Sequence, residues 1–110
     1  MAWLLAVAAL LLGGTAAAQD LQAIPTLTAR VMDQAGVLQP DQRATLEAKL
    51  AAFEAQAGPQ IVVLTVASTG IEDIADYAQR AGDAWKIGRK DVGDGLLVVV
   101  ARDDRKLRIQ

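Results

Sequence analysis

Two stretches, Ile61–Val66 and Leu96–Ala101, are short, rich in β-branched residues and almost uniformly apolar. That pattern predicts strands covered on both faces rather than on one. Elsewhere the apolar positions recur at helical spacing. Leu46, Leu50, Phe53 and Ala57 stand on one face of a helix that Pro40 opens, since proline suits the first helical position. Asp41 places a favourable charge in the first turn, and Gly58 followed by Pro59 ends the helix. A second helix is predicted from Thr69, whose spacing to Glu72 suits a capping box. Its buried stripe is Ile74, Ala78, Ala81 and Trp85, with Tyr77 flanking it and Gly88 as the stop; Trp85 and Tyr77 read as core residues.

Shorter signals complete the order. Arg30–Asp33 suits a brief strand that turns at Gln34–Gly36, and Arg102–Arg105 reads as a second turn. Lys106–Gln110 alternates polar and apolar residues, as expected of a more exposed strand paired by a hairpin. The chain therefore reads as α/β: a mixed sheet with a βαβ unit, helices packed on the sheet, and an antiparallel edge hairpin. Residues 30–110 form this domain, which stops in mid-strand and so reads as incomplete at its C-terminus.

The first eighteen residues follow a different logic. Leu4–Leu12 is an unbroken apolar run, broken by Gly13-Gly14 and followed by Ala16-Ala17-Ala18. A short apolar core followed by small residues is the pattern of a signal peptide, with cleavage before Gln19. The run is too short to span a hydrocarbon core of ~30 Å. No Lys or Arg precedes it. Residues 19–29 form a polar leader or tether. Export places the mature chain in the periplasm or on the extracellular face of the membrane.

Composition narrows the chemistry. The chain holds no Cys and no His, which removes disulfides, thiolate nucleophiles, imidazole bases and the usual zinc ligands from this segment. The net charge is −2 with acids and bases interleaved, so there is no basic stripe for nucleic acid. What remains is carboxylate, hydroxyl, backbone and cation.

Three aspartates are candidate metal ligands: Asp33, Asp94 and Asp104. Asp94 lies between Gly93 and Gly95, where the backbone can approach a bound ion and a hard carboxylate oxygen is at hand; an ordinary loop-to-strand turn uses the same residues. Asp33 ends a presumed strand, as ligands of open α/β sheets often do; it equally suits a turn cap. Asp103-Asp104 offers a second carboxylate pair or a solvated turn. Arg89 and Lys90 offer phosphate contacts or a solvated loop. Ser68 has no partner base in this segment, which argues against nucleophilic catalysis.

Three segments, taken together, resemble the TPM-domain family. Val31-Met32-Asp33-Gln34-Ala35-Gly36-Val37-Leu38 is similar to its opening motif. Trp85-Lys86-Ile87-Gly88 followed by Asp94-Gly95-Leu96-Leu97-Val98-Val99-Val100 is similar to its central block, and Asp103–Ile109 to its next hairpin. Gln39 stands where the family usually has Ser or Thr. The resemblance implies an extracytoplasmic α/β module, often calcium-binding, with members described as acid phosphatases and others as auxiliary factors for membrane-protein assemblies. Many bacterial relatives carry a membrane helix beyond the domain, which would anchor the protein. The expectation is a binding or assembly factor at the membrane face, with calcium or another divalent cation bound. The alternative is a metal-assisted acid phosphatase, and a third reading is a purely structural tether.

Overall fold

The computed structural model of the protein describes residues 21–87 and 95–110. The predicted signal peptide at residues 1–18, with residues 19–20 after it, and the candidates Arg89, Lys90 and Asp94 lie outside the described residues. Within them the elements run β1 (Val31–Asp33), α1 (Pro40–Ala57), β2 (Ile61–Val66), α2 (Ile74–Trp85), β3 (Leu96–Ala101) and β4 (Lys106–Ile109). The strands form one four-stranded sheet in the order β1-β2-β3-β4. The first three are parallel, and β4 returns antiparallel beside β3.

Strand alternation assigns the two faces. Register aligns Met32 with Leu64 and Val99, and Val62 with Leu97. These residues, with Val66 and Ala101, point to one side, where Ile74, Tyr77, Ala78 and Ala81 of α2 meet them. Burial of each such Val or Leu contributes about 1.5–3 kcal/mol. Tyr77, read as a core residue beside that stripe, is the largest fully buried side chain among the described residues. Ile24, Leu27 and Ala29, from the chain before β1, also pack against this core. The indole Nε1 of Trp85 donates to the Pro25 carbonyl at 2.9 Å.

The other face is thinner. Helix α1 contacts only β1 and β2, and none of its residues is fully buried. The apolar face expected of Leu46, Leu50, Phe53 and Ala57 therefore does not enter the core: Phe53 is 43% exposed. Polar bonds hold α1 instead. The Glu47 carboxylate accepts from the backbone N–H groups of Arg30 (3.1 Å) and Val31 (2.9 Å). The Arg30 guanidinium pairs with Glu54 at 3.2 Å. Beyond the reach of α1, Leu107 and Ile109 of β4 stand 60% and 58% exposed on this face.

The start of α2 differs from expectation as well. Its N-cap is Asp73, whose carboxylate accepts from the Ala75 N–H at 2.8 Å. Thr69 does not cap the helix. It closes a turn before it: its hydroxyl donates to the Glu72 carbonyl (2.8 Å), and the Glu72 N–H donates back to the Thr69 carbonyl (3.3 Å). A four-residue turn and a capping box share the same spacing, and Asp73 has the shorter side-chain route to the first free amides.

Candidate functional site

Parallel pairing brings the C-terminal ends of β1, β2 and β3 to one edge of the sheet. In open α/β sheets that edge is where ligands gather. Asp33 ends β1, Thr65 is its register partner on β2, and Ser68 and Thr69 follow β2. The Arg102–Arg105 turn follows β3 and carries Asp104.

The Asp33 carboxylate accepts hydrogen bonds at both oxygens. It accepts from the Thr65 hydroxyl at 2.6 Å and from the N–H groups of Val37 and Leu38 at 3.0 Å each. The Thr65 hydroxyl in turn accepts from the Ala35 N–H at 3.1 Å. Gly36, at φ +67°, lets the chain reverse inside this arrangement, a backbone setting that glycine adopts without strain. Burial pushes the Asp33 pKa up, but the Thr65 hydroxyl and the Leu38 and Val37 amides, with Arg43 nearby, outweigh burial and hold it below its ordinary value.

Asp104 is held the same way from the neighbouring strand. Ser68 Oγ donates to its two oxygens at 2.9 and 3.0 Å, and the Thr69 N–H donates at 3.0 Å. The Thr69 amide and the Ser68 hydroxyl hold the carboxyl below its usual range. Arg102 links the two turns, donating from Nη1 to the Ala35 carbonyl at 2.7 Å and from Nε to Asp103 at 2.9 Å.

Two of the predicted ligands, Asp33 and Asp104, thus share the carboxyl edge, each in its own cradle of donors. Among the described residues no group of three or more carboxylates comes together to hold a metal ion. Strand β3 begins at Leu96, paired with Ile61 at the opposite, amino edge. The partners of the two aspartates, Thr65, Ser68 and Thr69, were not singled out as such from sequence. One signal pointed to Thr65: a hydroxyl inside a strand buried on both faces needs a partner.

The family model for the TPM domain matches residues 31–110. The chain belongs to the TPM-domain family. Among solved structures, this TPM domain is similar to the N-terminal domain of a protein from P. gingivalis, at 28% identity and a TM-score of 0.68, covering 76% of this chain and 53% of that one. It shares its fold with the N-terminal domain of the cg2496 protein from Corynebacterium glutamicum, at 20% identity and a TM-score of 0.63, covering 81% of this chain and 57% of that one. The TPM domain described here thus spans a little over half the length of these solved chains. No curated protein matches it.

Proposed function

We propose that this TPM domain belongs to an exported protein that acts as a binding or assembly factor for membrane-protein complexes on the extracytoplasmic face, with a calcium or similar divalent-cation site. The observation that carries the reading is the pair of carboxylates at the carboxyl edge, both held ionised by hydroxyl and amide donors. An ionised aspartate at a loop junction is the kind of hard oxygen ligand that calcium takes, completed by carbonyls and water. Export is supported by the apolar run Leu4–Leu12 with Ala16–Ala18 behind it. A binding role is favoured over catalysis because Ser68, the hydroxyl beside Asp104, is taken up as that carboxylate's donor.

The test is calorimetric titration of Ca²⁺ into the secreted protein, with Asp33→Asn, Asp94→Ala and Asp104→Asn variants alongside. Saturable heat that an aspartate variant abolishes supports the cation site. Heat that survives in all three variants, or none in the parent, removes it and leaves a binding module without an ion. Turnover of p-nitrophenyl phosphate in the same samples, dependent on the ion, would move the conclusion to a metal-assisted acid phosphatase.

A further inference from the structure

Ile71 is the most exposed large apolar side chain among the described residues, at 77%. A lone exposed aliphatic is ordinary, but this one has a neighbour from far along the chain. Leu21 stands 56% exposed, and two contacts set its segment against the turn that carries Ile71. The side-chain nitrogen of Gln22 lies 3.6 Å from where a Cβ on Gly70 would stand. Arg80 ties the same two places together, donating from Nη2 to the Gln22 carbonyl at 2.8 Å and to Glu72 at 2.6 Å. Leu21 and Ile71 are thus neighbours in one patch, although fifty positions separate them in sequence.

The turn that presents Ile71 is a built one. Gly70 takes φ +67°, the Thr69 hydroxyl donates to the Glu72 carbonyl, and the Thr69 amide is held by Asp104. The turn follows β2, so the patch lies at the carboxyl edge of the sheet. Its charge is withdrawn from the surface: the Glu72 side chain is 7% exposed and paired with Arg80, and Asp73 caps α2. Residues 21–25 and 69–76 hold no Lys or Arg. A partner of this patch is therefore held by apolar contact, with no pull on an anionic surface.

The preceding chain supplies the occupant. Nine positions separate Leu12, the last residue of the apolar run, from Leu21. At about 3.3 Å per residue that is a reach of at most about 30 Å. While the run lies in lipid, the patch is tethered at the lipid surface, where even a small contact is favoured by proximity. A single short anchor holds marginally, and stable attachment takes a second contact. We propose that Leu21 and Ile71 are that second contact: they dock the uncleaved chain on a neutral lipid surface and turn the carboxyl edge toward the bilayer. The proposal rests on the export reading of Leu4–Leu12 given above and needs no bound ion.

The chain holds no Cys, so single-site labels report cleanly. Ile71→Cys and Leu21→Cys, with Ala48→Cys at an exposed position of α1 as control, carry an environment-sensitive nitrobenzoxadiazole label in the full uncleaved chain. The probe is vesicles of phosphatidylcholine, with phosphatidylglycerol vesicles and added salt alongside. The expected result is a blue shift at positions 21 and 71 on phosphatidylcholine, none at 48, and no loss on adding salt. Ile71→Ser should weaken vesicle binding about three- to tenfold, the scale of part of one aliphatic side chain leaving lipid, while melting like the parent. Unshifted labels at 21 and 71 on chain that floats with the vesicles overturn the docking but keep the anchor; no flotation overturns both. A blue shift at 71 without lipid overturns it too, assigning the patch to the chain's own apolar run or to a second copy. Stronger, salt-sensitive binding to phosphatidylglycerol overturns the apolar contact. Amino-terminal sequencing of the secreted protein tests the export reading by itself: a start at Gln19 upholds cleavage, and a start at Met1 removes it.

Discussion

Thr65 Oγ1 lies 2.6 Å from Asp33 Oδ1 and joins the end of β1 to the end of β2. The same oxygen accepts from the Ala35 N–H, so one buried hydroxyl serves a carboxylate and a turn amide together. Thr65→Val keeps the shape and removes both bonds. Its expected cost is about 1–3 kcal/mol, the penalty for leaving polar groups unsatisfied. Urea denaturation measures it, and a loss below about 0.5 kcal/mol, the range of ordinary surface substitutions, would show the pair to be dispensable.

The pH dependence follows from the direction of the Asp33 and Asp104 shifts. Both carboxyls are held below their ordinary values in the folded chain. Each therefore contributes stability that is complete above the unfolded pKa, about 3.9 for Asp, and is lost as the pH falls through the lower folded value. Stability should decline on acidification below about pH 5. Asp33→Asn should decline less steeply over that range, as measured by thermal melting across a pH series. An unchanged slope in the variant would mean that Asp33 does not carry the effect.

Glu47 holds α1 to β1 through two backbone amides. Glu47→Ala should destabilise the fold by about 1–3 kcal/mol, because charged acceptors of backbone donors are among the stronger hydrogen bonds. Hydrogen exchange gives a more local reading: the Val31 amide should lose protection before the amides of β2 and β3 do. Equal protection in parent and variant would assign the anchoring to other contacts.

Tyr77 and Phe53 form a contrasting pair. Tyr77→Ala should cost about 3–5 kcal/mol, as expected for an aromatic removed from a packed core. Phe53→Ser, at a position 43% exposed, should stay within about 0.5 kcal/mol of the parent. Chemical denaturation of both variants decides the matter, and a large loss in Phe53→Ser would show that α1 packs more tightly than its exposure indicates.

The strands and α1 were legible because short β-branched runs and a proline-to-glycine span are local signals. Strands β2 and β3 and helix α1 fall where periodicity puts them. The depth of each face was not legible. Leu46 and Phe53 have the spacing of a core stripe, yet spacing cannot say whether a sheet or solvent lies opposite. Tyr77 was legible as core, and the face that buries it is supplied by β2 and β3 from elsewhere along the chain. The site was half visible. Asp33 and Asp104 stood out as carboxylates at turns, but Ser68 and Thr69 become their neighbours only through the parallel register of three strands.

The carboxylate of Glu47 has one more effect. By occupying the donors of Arg30 and Val31, it stoppers the outer margin of β1 against an incoming strand. An incoming strand would meet this carboxylate before it could reach the Val31 amide.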